Sequence, residues 1–303
     1  MCQLQYPPTL EVGDTIAIVS PASFIAPERI DGAVATLRGQ GYRVRVMPHA
    51  YNHCGSFAGT YTNRLADLSE ALTDPNIKAI LCSRGGYGCV QLLPELARLD
   101  FGAKWLVGFS DVTALHQLMR TKGIVSIHGS MAKALAEQPA DSKPNAMLLQ
   151  MLRGQRPSLS FASGAGSVEG SAEGTLVGGN LAVLQALIRT PFDPFAPDTI
   201  LFIEDIAEPI YKVERMLLQL RMAGVLDNLA GLIIGRFTDY KPDKNHTTVE
   251  QMIRNVIFAD HSPAYPVAFD APIGHFDDNM PLLHAAHVKL SVDSLTTTIE
   301  YII

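Results

Sequence analysis

The sequence predicts an α/β protein: a flavodoxin-like, doubly wound parallel sheet in an N-terminal domain, followed by a smaller mixed α/β domain. Three observations lead there. The chain has 303 residues, short β-branched runs alternate with amphipathic stretches through its first half, and Ser/Gly-rich sequence marks a change of character near the middle. At roughly 150 residues per domain, that length suggests two domains. A chain of this size buries about 75% of its unfolded surface. With 47% hydrophobic and 18% charged residues, disorder and fibrous architectures are excluded.

The strand-like runs of the first domain, residues 1–155, are Thr15–Ser20, Tyr42–Met47, Ile77–Cys82, Lys104–Phe109 and Ile124–His128. Apolar residues three and four apart fill the segments between them. Leu65, Leu68 and Leu72 form one stripe, and Val112, Leu115, Leu118 and Met119 another. Such alternation implies a parallel sheet with helices on both faces, and ligands then lie at the carboxyl ends of the strands. Residues 156–173 are expected as a linker. The second domain, residues 174–303, is expected to hold a helix Asn180–Arg189, a strand Ile200–Glu204, a helix Val213–Ala223, a strand Leu232–Gly235 and strands at Val288–Val292 and Thr296–Ile302. The helix Val213–Ala223 could serve a homodimer interface as easily as a core.

Lys and Arg number 24 against 30 Asp and Glu, a net charge of −6, which argues against nucleic acid or an anionic membrane as partner. Apolar stretches such as Gly231–Gly235 fall far short of the ~18 residues a membrane span needs. The first basic residue, Arg29, follows the apolar run Ile16–Val19, unlike a signal peptide, so a cytoplasmic protein is expected. Cys2, Cys54, Cys82 and Cys89 form no C-x-x-C pair, so reduced structural thiols and no metal or cofactor are expected.

Three strand-end loops carry residues suited to chemistry. Arg84-Gly85-Gly86-Tyr87-Gly88 follows the strand ending at Cys82 and precedes a helix running to Leu99. Its glycines let backbone N–H groups approach a ligand, and a helix N-terminus favours negative charge. It matches neither dinucleotide nor Walker loops, so a ligand-free tight turn is an equal alternative. Gly108-Phe109-Ser110-Asp111 places a serine on a sharp strand-to-helix turn, where the next N–H can stabilise an oxyanion. A helix N-cap is the competing role for Ser110.

A serine nucleophile needs a base and an orienting acid. Of nine histidines, His284 and His287 read as surface or packing residues, His116 as a satisfied, partly buried residue, and His49, His53, His246 and His261 lie in turn-rich context. His128 lies within the first domain. His275 differs: Pro272-Ile273-Gly274-His275 follows the run Val267–Phe269 and precedes Asp277-Asp278-Asn279. Glu204 ends the apolar run Ile200–Ile203, where a carboxylate needs a partner. That partner is the base, or, in a structural account, Arg215.

At these residues the sequence resembles the LD-carboxypeptidase family, cytosolic serine peptidases that trim cell-wall peptides. The matching stretches are Phe57-Ala58-Gly59-Thr60 leading to Arg64-Leu65, Arg84–Gly88, Gly108–Ala114, Gly174–Leu181, Glu204-Asp205-Ile206, Val213–Leu220 and Gly274-His275. The resemblance implies Ser110 as nucleophile, His275 as general base, Glu204 as its orienting acid, and the N–H groups of Asp111 and Gly86 as oxyanion hole. It implies hydrolysis of the bond to the terminal D-alanine of a murein tetrapeptide, without metal or cofactor. Arg84 and Tyr87 are the candidates for binding that peptide substrate. Relatives acting on aminoacyl-nucleotide toxins, an ordinary esterase and a binding module that holds an anion on Gly178-Gly179-Asn180 are the alternatives. An aromatic adenine platform has poor support, because the single tryptophan, Trp105, falls in a predicted strand.

Overall fold

The computed structural model describes residues 4–242, 244–245, 248–259 and 262–302; Cys2, His246 and His261 lie outside them. In chain order the elements are β1 (Thr15–Val19), α1 (Pro27–Gly39), β2 (Arg43–Val46), α2 (Tyr61–Thr73), β3 (Ile77–Cys82), α3 (Cys89–Leu96), β4 (Trp105–Gly108), α4 (Thr113–Thr121), β5 (Ser126–His128), α5 (Ala132–Glu137) and α6 (Lys143–Leu152). Then follow β6 (Leu159–Ala162), β7 (Gly170–Asn180), α7 (Leu181–Ala186), β8 (Thr199–Ile206), α8 (Ile210–Met222), β9 (Gly231–Thr238), α9 (Val249–Ile257), β10 (Val267–Ala268), β11 (Leu282–His284), β12 (His287–Val292) and β13 (Thr296–Tyr301). The chain divides into two compact units. The first takes the residues up to Arg156 together with Met280–Ala285, and the second Pro157–Asn279 and Ala286 onward.

In the first unit the sheet runs β11-β5-β4-β3-β1-β2. Pairings from β2 through β5 are parallel, and β11 joins antiparallel with Leu282 opposite His128. This is the expected doubly wound sheet with one added edge strand. Sequence such as Thr-Ile-Ala-Ile-Val in β1 is apolar on both faces because helices cover both, and Ile16, Ile18 and Ile80 are buried. The strand order reverses between β1 and β3, so the loops after β1, β3 and β4 gather at one carboxyl edge. A hydrogen-bond chain ties two of them: Ser20 Oγ donates to the Ala50 carbonyl (2.7 Å) and lies 2.7 Å from Ser83 Oγ.

The second unit carries a seven-stranded mixed sheet, β10-β9-β8-β7-β12-β13-β6. Helices α7, α8 and α9 supply Leu184, Leu217, Leu220, Met252 and Ile253 to a core with Leu201, Ile203 and Ile234 of the central strands. Residues 156–173, expected as a linker, instead contribute β6 and the start of β7 to this sheet. Leu159 and Phe161 alternate with Ser160 and Ala162 at the strand period, a signal obscured by the flanking serines and glycines. Helix α8 begins at Ile210, three residues before the expected start, and Val213, Leu217 and Leu220 are spent on this core.

Candidate active site

The first unit presents the serine. Strand β4 ends at Gly108, and after extended Phe109 the chain turns sharply into a 3-10 turn, Ser110–Val112. Ser110 takes φ 65°, a left-handed conformation that a non-glycine residue adopts at a cost of about 1 kcal/mol or more. The N-cap role does not apply, because α4 starts at Thr113 and has no side-chain cap. Gly85 packs against the serine: a Cβ there would lie 2.7 Å from Ser110 Cβ and 2.8 Å from its Oγ. Only a glycine lets the loop come this close.

Behind the serine, the Asp111 carboxylate is buried and accepts the N–H of Cys89, the first residue of α3, at 2.8 Å. Burial pushes its pKa up, against the pull of hydrogen bonds from Cys89 and the charge of Arg64. Of the other candidates in this loop, Arg84 is exposed and donates to the Phe24 carbonyl at 2.9 Å, while Tyr87 is 56% exposed.

Beneath β4, His116 is fully buried, with Nε2 2.8 Å from the Gly108 carbonyl and Nδ1 2.8 Å from Ser126 Oγ. The Gly108 contact fixes the proton on Nε2, and Ser126 donates to Nδ1. His284 stacks on His116 at 5.3 Å between ring centroids, and Gln117 Nε2 donates to His284 Nε2 at 3.0 Å. His284 is thus an interior residue, whereas His287 is exposed.

The second unit presents the pair. Glu204 lies in β8, 0% exposed, and its Oε2 is 2.7 Å from His275 Nδ1. Its partner is therefore the histidine and not Arg215. Close packing permits this approach, since a Cβ on Gly235 would lie 2.6 Å from the Ile273 carbonyl and 3.3 Å from Glu204 Cβ. The His275 loop is pinned by Asn279, whose Oδ1 accepts the Gly274 N–H at 2.9 Å. Burial pulls the His275 pKa down, but the hydrogen bond and charge of Glu204, with the charges of Asp205 and Asp239, outweigh it and raise the pKa overall. With its proton on Nδ1 toward Glu204, the neutral ring has Nε2 as its basic nitrogen.

Sequence reasoning assigned no bond to Asp205, whose charge lies near this pair. Asp205 accepts Asn180 Nδ2 at 2.7 Å and the Ala182 N–H at 3.0 Å, while Asn180 Oδ1 caps α7 through Val183 at 3.2 Å. Gly178-Gly179-Asn180, weighed as an anion-binding turn, thus has its asparagine engaged in a strand-to-helix junction. Burial, then the neighbouring Glu204 charge, pushes Asp205 up to about 6.

The comparisons with known proteins extend over both units. Residues 16–129 match the LD-carboxypeptidase N-terminal domain and residues 173–290 the LD-carboxypeptidase C-terminal domain. The murein tetrapeptide carboxypeptidase of Pseudomonas aeruginosa is 32% identical over 278 residues, covering 87% of this chain and 89% of that protein. The crystal structure of muramoyltetrapeptide carboxypeptidase from Oxalobacter formigenes matches with a TM-score of 0.82 at 28% identity, over 94% of this chain and 98% of that one. The structure of MccF in complex with glutamyl sulfamoyl guanosine matches with a TM-score of 0.85 over 99% and 98%, but at 21% identity it shares the fold alone. With both halves matched in order and a relative similar over nearly its whole length, the chain belongs to the LD-carboxypeptidase family.

Proposed function

We propose that this protein is a serine LD-carboxypeptidase that removes the terminal D-alanine of murein tetrapeptides, cutting the amide formed by the L-centre of the third residue, meso-diaminopimelate or lysine. The observation that carries the reading is the buried 2.7 Å contact between Glu204 and His275. A fully buried carboxylate bonded to a histidine is what holds an imidazole in one tautomer and stabilises its charged form. In this reading Ser110 Oγ attacks the carbonyl as His275 Nε2 takes its proton. The Asp111 and Gly86 N–H groups hold the oxyanion, and His275 then protonates the departing D-alanine. Water resolves the acyl-enzyme by the same route. Arg84 and Tyr87, both exposed on the glycine loop, receive the peptide and its carboxylate.

Mass spectrometry of a tetrapeptide muropeptide after incubation tests the reading. The expected product has lost one alanine, at a rate unchanged by chelators. Ser110→Ala should lower the rate by on the order of 10⁴ or more. An intact tetrapeptide under conditions where an aminoacyl sulfamoyl nucleotide is cleaved would move the activity to that substrate class. Turnover of simple activated esters alone would make it an esterase.

A further inference from the structure

The glycine loop and the serine turn belong to different strand ends, 22 residues apart at their point of contact. One buried carboxylate joins them, and a buried guanidinium braces the glycine loop from its other side. The Asp111 carboxylate accepts the N–H of Cys89 at 2.8 Å. Arg64 approaches the same peptide from the other side: its Nη1 donates to the Gly88 carbonyl at 3.1 Å and the Pro21 carbonyl at 2.8 Å, and its Nη2 to Gln91 Oε1 at 2.7 Å. The Gly88–Cys89 peptide is thus held at its N–H by one side chain and at its carbonyl by the other.

Both side chains are themselves fixed. Arg64 is 2% exposed, lies 4.6 Å over the Phe57 ring, and stands on α2, whose first turn is closed by the Thr60–Asn63 capping box. Asp111 is 4% exposed and follows directly on the strained Ser110. Desolvating a carboxylate is costly unless it is bonded, and a simple loop anchor needs no charge. A charge here has another use: it ties the loop that carries Gly86 to the residue whose own N–H is the other oxyanion donor in the reading above.

We infer that Asp111, backed by Arg64, is a positioning residue that fixes the distance between the two oxyanion donors, so that its loss weakens the transition state and spares substrate binding. The inference rests on the serine-peptidase reading above. Misplacing one donor is expected to cost what removing it does, about 10²-fold in kcat.

The test compares wild type, Asp111→Asn and Arg64→Gln by kcat and KM for D-alanine release, and by the rate at which a fluorophosphonate labels Ser110. The amide of Asp111→Asn keeps the volume but turns a donor toward Gly88 or Cys89. Both variants should lose about 10²-fold in kcat and labelling rate, with KM within about twofold of wild type. Variants within about threefold of wild-type kcat, or with KM and kcat worsening together, would overturn it. Arg64→Gln alters neither Ser110 nor the two donor residues and gives the same readout should Asp111→Asn not fold. Labelling needs no peptide, so a wild type that labels at Ser110 but releases no alanine refutes the murein reading and leaves the variants to decide this one. A wild type inert in both assays sinks the nucleophile and this inference with it.

Discussion

Ser110 and His275 are each held by a neighbour that costs the fold something: a left-handed backbone at φ 65° for the serine, a buried carboxylate for the histidine. The second has a measurable consequence. In the proposed mechanism His275 is the general base and must be neutral, so kcat/KM falls as pH drops through its pKa, which Glu204 raises above the ordinary 6.5. The acid limb of the pH profile should therefore lie above 6.5. Glu204→Gln removes the charge, so the limb should move to lower pH while kcat drops by on the order of 10³ or more. A limb that stays in place would separate His275 from Glu204 in the reaction. Glu204 was legible in the sequence because a carboxylate closing an apolar strand demands a partner. The partner's identity needed a second residue 71 positions away. The Asp111 side chain was not legible, since only folding brings its carboxylate to the start of α3.

At the scale of elements, the junction of β7 and α7 shows what composition conceals. Gly178-Gly179-Asn180 has the small residues of a ligand loop, yet Asn180 caps α7 and bonds Asp205 in the next strand. Asn180→Ala removes a cap and a buried bond to a carboxylate, and should cost about 2 kcal/mol of stability in chemical denaturation. A loss under about 0.5 kcal/mol would mean the junction is held by packing alone. Strand–helix alternation made the parallel sheet readable, because the central runs such as β1 and β4 are apolar and buried on both faces while helices such as α1 and α2 carry one buried stripe. Strand β11 was not readable: Leu-Leu-His is too short to show a period, and its antiparallel partner, β5, lies more than 150 residues earlier.

Across the whole molecule, the histidines buried in the first unit are lowered in pKa while Asp205 and His275 of the second are raised, so acid should act on the two units differently. In the first unit His116 is kept neutral by burial, its pKa pushed down to about 4, and His284 is pushed down by burial and by the charges of His116, Arg120 and His128. A histidine lowered in the fold contributes stability that is whole above about 6.5 and lost as pH falls toward 4. Taking His116 alone, moving from neutral pH to 5 removes about 2 kcal/mol. Asp111, raised by burial, offsets part of this. In the second unit Asp205, raised to about 6, and His275, also raised, both bind protons more readily folded than unfolded. Acidification over the same window therefore stabilises this unit, by about 1 kcal/mol through Asp205. Amide hydrogen exchange as a function of pH, corrected for intrinsic rates, reads the two units separately. Opening free energies in β4 and β5 should fall between pH 7.5 and 5 while those in β8 and β9 hold or rise. Replacing His116 with Gln, which can still donate to the Gly108 carbonyl, should flatten the first unit's dependence. A uniform decline across both sheets would show instead that general charge accumulation, and not these buried groups, governs the acid response.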